Sequence, residues 1–106
     1  MAADDFQSSL KRLLWWTFIS TRGGNMRLKI MKSILDSPKN ANRLSSDTGV
    51  NYRTIEHHIK ILLANNLVTV QGEGYGRVYF PSPLLTKNFH IFEEILDREG
   101  TMRRKD

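Results

Sequence analysis

The sequence predicts a small domain that is mainly α-helical and carries one two-stranded β-hairpin. Its fold class is therefore a small α+β fold. Two observations lead to this prediction. Apolar residues recur three and four positions apart, the spacing of one helix face, in four segments (5–20, 25–36, 51–65 and 84–99). Between the last two of these, two short β-prone runs flank the glycine-rich stretch QGEGYG at residues 71–76.

Composition excludes several classes of protein. The 106 residues suffice for one domain, which we assign to residues 1–106, and 40% hydrophobic with 25% charged residues argues against a mainly disordered chain. There is no cysteine, which excludes disulfides, zinc ribbons and thiol catalysis. The longest apolar run, residues 13–19, is too short to cross a bilayer, and the N-terminus is acidic, unlike a signal peptide. We therefore expect a cytoplasmic protein with no membrane partner.

The positive charge is concentrated in one part of the chain. Residues 11–60 hold ten basic and three acidic side chains, residues 1–10 carry −2, and residues 61–106 are balanced, so the net charge is +5. Such a basic segment beside a neutral remainder indicates a surface that meets a polyanion such as nucleic acid.

The first two helices are predicted from their apolar stripes and their ends. One covers residues 5–20 and is ended by Gly23 and Gly24. The next covers residues 25–36, with Asn25 as its N-cap and with Arg27 on its polar side.

Two further helices are predicted to be joined by a tight turn. A short one covers residues 40–48 and ends at Gly49, where a left-handed backbone suits glycine. The following one covers residues 51–65, with Asn51 as its N-cap and with Asn66 in a left-handed turn after it.

The last third of the chain is predicted to be a hairpin and one helix. The runs LVTV (67–70) and RVYF (77–80) form the strands of a wing over residues 68–80, which prolines at 81 and 83 end. A single helix then covers residues 84–99.

This order of elements is that of a winged helix-turn-helix, with its core at residues 25–81. Residues 54–62 (TIEHHIKIL) with 66–68 (NLV) resemble the recognition-helix signature of ArsR-type winged-helix regulators. RLKIM at 27–31 is similar to the start of that family's first core helix, and TRGG at 21–24 is similar to its single-domain archaeal members. The resemblance implies a DNA-binding transcriptional regulator.

Metal sensing, a property of some members of that family, is not expected here. Those members bind metal through cysteines or clustered histidines and carboxylates, and this chain has no cysteine. His57 and His58 are adjacent, so on a helix they point about 100° apart, and His90 lies in another helix. We expect no metal and no other cofactor.

The helix at 51–65 is predicted to enter the major groove. Arg53, in its first turn, can pair with guanine O6 and N7, and Glu56 can accept from cytosine N4 or pair with Lys60. His57 should face outward, and His58 should be packed against a neighbouring helix. The predicted DNA-contacting residues are Asn40, Asn42, Arg43, Asn51, Tyr52, Arg53, Thr54, Glu56, His57, Lys60, Tyr75 and Arg77.

The two terminal helices carry more apolar surface than a winged-helix core can cover. We expect them to be dimerisation helices of a two-fold homodimer, which would present two recognition helices to an inverted-repeat operator. The alternative is that both helices pack on the core of their own chain. The predicted interface residues are Phe6, Leu10, Leu13, Trp16, Leu85, Phe89, Phe92 and Leu96.

The expected function is therefore a sequence-specific, nucleoid-associated transcriptional regulator whose partners are double-stranded DNA and a second copy of the chain. An enzyme is not expected, because no nucleophile, base and acid cluster together and the glycines lie in a hairpin and not in a phosphate loop. Two alternatives stay open: a sequence-tolerant, chromatin-like DNA binder, and a protein-interaction winged helix in a larger complex. No effector can be named from the sequence.

Overall fold

The computed structural model describes residues 2–104 of the chain, with side chains for residues 5–98. It contains a helical core, a two-stranded hairpin and helices from both ends of the chain. The helices are α1 (Ala2–Trp15), α2 (Gly24–Asp36), α3 (Ala41–Thr48), α4 (Tyr52–Ala64), α5 (Pro83–Lys87) and α6 (Phe89–Arg104), and the strands are β1 (Val68–Gln71) and β2 (Val78–Pro81). The mainly α-helical winged helix-turn-helix predicted from the sequence is confirmed.

The core lies where α2, α3 and α4 meet beneath the hairpin. Each helix contributes the apolar stripe that its spacing predicts, and burying one such side chain is worth about 1.5–3 kcal/mol. The fully buried residues of these helices include Ile30, Met31, Ile34, Leu44, Ile55 and Leu62, and Leu67, between α4 and β1, is fully buried as well.

The turn between α3 and α4 has the geometry that the sequence indicates. Gly49 ends α3 with a φ of +72°, in the left-handed region that favours glycine. Val50 is buried, and the hydroxyl of Ser45 donates to its carbonyl at 2.5 Å. Asn51 caps α4 by accepting from the backbone N–H of Arg53 at 2.8 Å.

The wing is an antiparallel pair of strands that differs slightly from the prediction. The register joins Val68 to Pro81 and Gln71 to Val78, so each strand lies one residue later than expected and Pro81 is paired. The tip is a 3-10 turn at Gly74–Gly76. Lys39 forms a backbone bridge to Tyr79 of β2, at 2.8 and 3.3 Å, which was not predicted and ties the α2–α3 connection to the wing.

The N-terminal helix ends in a way that apolar spacing does not reveal. After Trp15 the chain continues as a π-helix, Trp16–Ser20, which we call the π turn. The predicted N-cap Asn25 is wrong, because α2 begins one residue earlier, at Gly24, with Gly23 in the cap position. A Cβ at Gly24 would lie 2.9 Å from the carbonyl oxygen of Phe18, so only glycine allows this close return of the chain.

The predicted single helix at 84–99 is wrong, because the structure has two helices that meet at Asn88. Ser82 caps α5 by accepting from the N–H of Leu85 at 3.2 Å, with Pro83 at the first helical position. The side-chain amide of Asn88 then donates to the carbonyl of Leu84 at 2.9 Å and ends α5. The chain therefore changes direction before α6.

The terminal helices pack on the core of their own chain and on each other. Phe18, in the π turn, meets Phe92 of α6 edge to face at 5.2 Å between ring centres. Leu10, Leu85 and Phe92 are buried within the chain, which corrects their assignment to a subunit interface: they already have intramolecular partners. The rest of the predicted interface set stays half-buried or exposed, namely Phe6, Leu13, Trp16, Phe89 and Leu96.

None of the helices described is both long enough and apolar enough to cross a membrane.

We predict that the turn after α4 depends on the left-handed backbone at Asn66, whose φ is +56°. Asn66→Ala should lower the free energy of unfolding by about 1 kcal/mol, because a Cβ without a local hydrogen-bonding group is disfavoured there. Asn66→Gly should be neutral or slightly stabilising. Urea unfolding monitored by circular dichroism measures both, and equal losses in the two variants would contradict this explanation.

Candidate nucleic-acid interface

Three elements converge on one open cleft: the beginning of α3, the first half of α4 and the tip of the wing. The cleft has a volume of about 470 Å³. Its lining includes five of the residues predicted to contact DNA, although they come from distant parts of the sequence. These five are Asn42, Tyr52, Glu56, Tyr75 and Arg77.

Two more predicted residues lie beside this cleft, at the start of α3. Asn40 caps α3 by accepting from the N–H of Arg43 at 2.8 Å, which leaves its side-chain N–H groups available to an anion. The Arg43 guanidinium donates to Asp47, one turn later, at 3.2 Å. An exposed pair of this kind is worth about 0.2–1 kcal/mol, so a phosphate can compete for Arg43.

The side chains of α4 separate into two stripes. Tyr52 and Glu56, four residues apart, face the wing and line the cleft. Arg53, His57 and Lys60 follow the same spacing on an exposed stripe, outside the cleft. The cap Asn51 is exposed and Thr54 is half-buried. The ion pair considered between Glu56 and Lys60 is absent, because no oxygen of Glu56 lies within 4 Å of that ammonium group.

The wing presents one aromatic ring at its tip. Tyr75 is 95% exposed, the most exposed large hydrophobic residue described. Arg77 braces the turn below it, with its Nε donating to the carbonyl of Gly74 at 3.2 Å. The rest of its guanidinium stays free to meet an anion.

Arg27 is buried, so its predicted place on the polar side of α2 is wrong. It is 4% exposed, and its Nε donates to the carbonyl of Thr17 in the π turn at 2.9 Å. Another nitrogen donates to the hydroxyl of Thr21, and the guanidinium lies 5.5 Å from the ring centre of Trp16. Position 27 shares the helix face of the buried residues Ile30 and Ile34, so its spacing, unlike its charge, indicated burial.

The same guanidinium reaches α4. Nη1 of Arg27 lies 3.3 Å from Nδ1 of His58, which is buried as predicted, while His57 beside it is exposed. Because a guanidinium only donates, Nδ1 must accept, and the neutral ring carries its proton on Nε2. A Cβ at Gly23 would lie 2.5 Å from Nη1 and 2.8 Å from Cε1 of His58, so glycine makes room for this contact.

Burial and charge act together on this buried pair. Burial lowers the pKa of His58, and the charges of Arg27 and then His57 lower it further. Burial also lowers the pKa of Arg27, which stays protonated in proteins.

Lys39 is a second buried cation that the sequence did not single out. Its Nζ donates to the carbonyls of Ser33 at 2.5 Å and Ser37 at 3.0 Å, and lies 3.8 Å from Asp47. Lys39 thereby caps the C-terminal end of α2 and links it to α3. Of the ten basic residues in 11–60, eight are exposed, and Arg27 and Lys39 serve the fold.

Among the residues that the structure describes, no group of three or more His, Asp or Glu side chains is arranged to hold a metal ion.

The helix-turn-helix segment also matches a known family. Residues 25–70, from α2 into β1, match the family described as bacterial regulatory protein, arsR family. The match covers the helix-turn-helix segment, which is less than half of the chain. The resemblance to ArsR-type regulators is thereby confirmed for this segment, whereas the similarity to archaeal members stays a prediction. A comparison with curated proteins gives no sequence match.

Solved structures show the same fold over almost the whole ArsR-like chain. The homodimeric winged helix-turn-helix DNA-binding domain of Mb0332 from Mycobacterium bovis, a possible ArsR-family transcriptional regulator, is 17% identical with a TM-score of 0.65, covering 96% of this chain and 88% of that chain. Reduced HlyU from Vibrio cholerae is 21% identical with a TM-score of 0.61, covering 90% and 94%. Rv0081 from M. tuberculosis is 17% identical with a TM-score of 0.64, covering 91% and 94%.

We predict that acidification destabilises the fold through His58. Because the folded-state pKa lies below the ordinary 6.5, the unfolded chain takes up a proton first. The stability is therefore complete above the ordinary pKa and falls as the pH drops below it. His58→Asn keeps an acceptor for Arg27 but cannot titrate, so its Tm should fall less than that of the wild type between about pH 7.5 and 5.5.

The matched control is His57→Asn, which removes the neighbouring exposed ring. It should retain most of the pH dependence of the wild type in the same thermal melts, because the charge of His57 is the smallest of the three causes that lower the pKa of His58. If His58→Asn and the wild type lose the same stability on acidification, protonation of His58 is not the cause.

Proposed function

We propose that this protein is a sequence-specific DNA-binding transcriptional regulator that acts without catalysis, with α4 as its recognition helix and the hairpin as its wing. The observation that carries this proposal is the cleft in which α3, α4 and the wing tip bring together hydrogen-bonding side chains from three separate elements. The ArsR-type segment supports it, because that family consists of regulatory proteins. Binding to DNA would associate the protein with the nucleoid.

In this proposal α4 lies in the major groove and reads base edges with its first turns. Arg53 is exposed in the first turn, where a bidentate contact to guanine O6 and N7 is available to it. Glu56, which forms no ion pair with Lys60, is free to accept from cytosine N4. A carboxylate on the reading surface favours base contact, because phosphates repel it. His57 lies on the same exposed stripe as Arg53.

The remaining contacts would position the protein on the phosphate backbone. Asn40, Asn42 and Arg43 stand at the start of α3, where side-chain donors and the helix N-terminus both favour an anion. On α4 the positioning residues would be Asn51, Tyr52, Thr54 and Lys60.

The wing would extend the contact beyond the major groove. Arg77 can follow the phosphates or enter a narrow minor groove, where the negative potential attracts arginine. Tyr75, fully exposed at the tip, can pack against the sugar backbone. The braced turn at Gly74 keeps both side chains on the same side as α4.

We also propose a homodimer that binds an inverted repeat. Phe6 is 47% exposed, and Leu13, Phe89 and Leu96 are half-buried, so the terminal helices keep apolar surface outside the core. Phe89, Leu96 and Leu35 of α2 line a hollow of about 290 Å³ that a second copy can fill. The Mb0332 domain, which has this fold, is described as homodimeric.

The experiment that tests the function is selection from random DNA with the purified protein at moderate salt. An enriched inverted repeat would support a dimeric, sequence-reading regulator. Binding without enrichment would replace it with a sequence-tolerant, chromatin-like binder, whose affinity falls steeply with salt. No binding even at low salt would replace it with a winged helix that serves a protein partner.

We predict that two substitutions in α4 affect DNA binding in different ways. Arg53→Ala should cost about 1–3 kcal/mol of binding free energy and relax specificity at one base pair, because it removes a base contact. Lys60→Ala should weaken binding to all sequences alike and reduce the salt slope by about 1, because it removes a phosphate contact. Fluorescence polarisation with matched and mismatched DNA at several salt concentrations measures both effects.

The matched control for these variants is Lys87→Ala, an exposed lysine at the end of α5, outside the three converging elements. It should bind like the wild type. Wild-type binding by Arg53→Ala and Lys60→Ala would rule out α4 as the recognition helix.

We predict that Phe89→Ser with Leu96→Ser produces folded monomers that bind an inverted repeat weakly. Both residues are only half-buried, unlike Phe92, so the fold should survive their replacement. Light scattering after size exclusion gives the mass, and circular dichroism checks the fold. The control is His90→Ser, an exposed position of α6. A dimer mass that persists in the double variant would exclude this interface.

A further inference from the structure

A second groove beside α6 shares no lining residue with the cleft between α3, α4 and the wing. It lies between α1, the π turn and α6, and its volume is about 480 Å³. Trp15 and Trp16 form one wall and Ile95 contributes to the other. The indole side chains are 46% and 47% exposed, and they are the only two tryptophans of the chain. Two large aromatic rings therefore stand open around one apolar groove.

The rim of the groove is positively charged. Lys11 pairs with Glu94 at 2.9 Å, and this hydrogen bond, followed by the charge of Lys11, lowers the pKa of the Glu94 carboxyl. That pair is neutral as a unit. Arg12 and Arg98 add two positive charges, and among residues 5–98 no carboxylate oxygen lies within 4 Å of either guanidinium. Within residues 5–98, the groove thus combines an apolar lining with two arginines that have no carboxylate partner.

This combination favours a small anionic ligand over a second copy of the chain. A two-fold contact centred on the groove would bring Arg12 and Arg98 of both copies together, while Glu94, the one carboxylate of the described lining, is already paired with Lys11. A molecule with an apolar body and one carboxylate satisfies both parts: its body covers the indoles and its carboxylate meets a guanidinium.

The groove is also connected to the recognition helix by direct contacts. Trp16 lies on the guanidinium of Arg27, 5.5 Å from the ring centre, and Arg27 contacts His58 of α4 at 3.3 Å. Both steps are side-chain contacts, and the second is buried. A ligand that moves Trp16 therefore acts directly on the group that holds α4.

We propose that this groove binds a small amphipathic carboxylate as an effector, and that Trp16 transmits its binding through Arg27 to His58. The proposal assigns Trp16 to this site and not to the subunit interface. The regulatory half of the proposal, that the ligand alters DNA binding, rests on the proposed DNA-binding function. The binding half, that the groove binds a carboxylate, does not depend on it.

The binding half is tested by tryptophan emission of the full chain, because both reporters line the groove. Decanoate below its micelle concentration is the probe, since it does not absorb where tryptophan emits. Decanol, which has the same chain without the charge, is the control ligand. Decanoate should shift the emission saturably and bind more tightly than decanol. An unchanged emission, or equal affinity for both ligands, would overturn the site.

Substitutions test whether the charged rim is responsible for binding the carboxylate. Arg98→Gln should weaken decanoate about three- to fivefold, the effect of one exposed charge pair, and leave decanol unchanged. Lys29→Gln removes an exposed cation of α2 outside the groove lining and should leave both affinities unchanged. If Arg98→Gln and Arg12→Gln both bind decanoate as tightly as the wild type does, the proposal that the arginines bind a carboxylate is overturned.

The regulatory half is tested by DNA binding with and without saturating decanoate, measured by fluorescence polarisation. Decanoate should change the DNA affinity about fivefold or more, within the usual range of coupling between sites. Trp16→Phe should still bind decanoate but lose much of this change. Decanoate binding with unaltered DNA affinity would overturn the effector role alone. If the protein does not bind DNA at all, the proposed function is overturned, but the decanoate measurement still tests the binding half of the proposal.

The mass of a groove variant tests whether a second copy of the chain occupies the groove instead. Trp15→Ala should keep the mass of the wild type in light scattering. A shift from dimer to monomer in this variant would mean that a second copy occupies the groove, and would overturn the proposal.

Discussion

The buried guanidinium of Arg27 is the interaction on which the arrangement of this domain depends. It binds the carbonyl of Thr17 in the π turn, the hydroxyl of Thr21 and Nδ1 of His58 in α4. A cation removed from water is costly unless its donors have partners, so these bonds are linked: losing one leaves charge buried with too few acceptors. The position of α4 is therefore tied to the end of the first helix of the chain.

This constraint explains why the N-terminal helix is part of the domain and not an appendage. The π turn presents Thr17 to Arg27 and Phe18 to Phe92 of α6, so one irregular turn contacts α6 directly and α4 through Arg27. Glycine at 23 and 24 allows the chain to return closely enough for these contacts. A change on the outer surface of α1 or α6 thus has a short physical route to α4.

The basic character of the chain has two different physical roles. Most cations of residues 11–60 lie on the surface, where they attract a polyanion. Arg27 and Lys39 are buried, where they satisfy backbone carbonyls and side-chain acceptors that helix ends leave open. Net charge counts both kinds equally, so it indicates a nucleic-acid surface without saying which cations form it. The surface that we propose for DNA is the cleft between α3, α4 and the wing.

The sequence alone predicted several local features: the apolar stripes of the helices, the cap at Asn51 and the left-handed residues Gly49 and Asn66 all depend on near neighbours in the chain. Five of the residues that it predicted to contact DNA line one cleft between α3, α4 and the wing, because the helix-turn-helix order constrains their placement. It missed the burial of Arg27, the π turn, the break at Asn88 and the packing of Leu10, Leu85 and Phe92 inside the chain. The burial of Arg27 and the packing of these three residues depend on partners 10 to 31 residues away or on another helix. Apolar spacing indicates that a side chain is buried but not against what, and only the folded chain brings those partners within bonding distance.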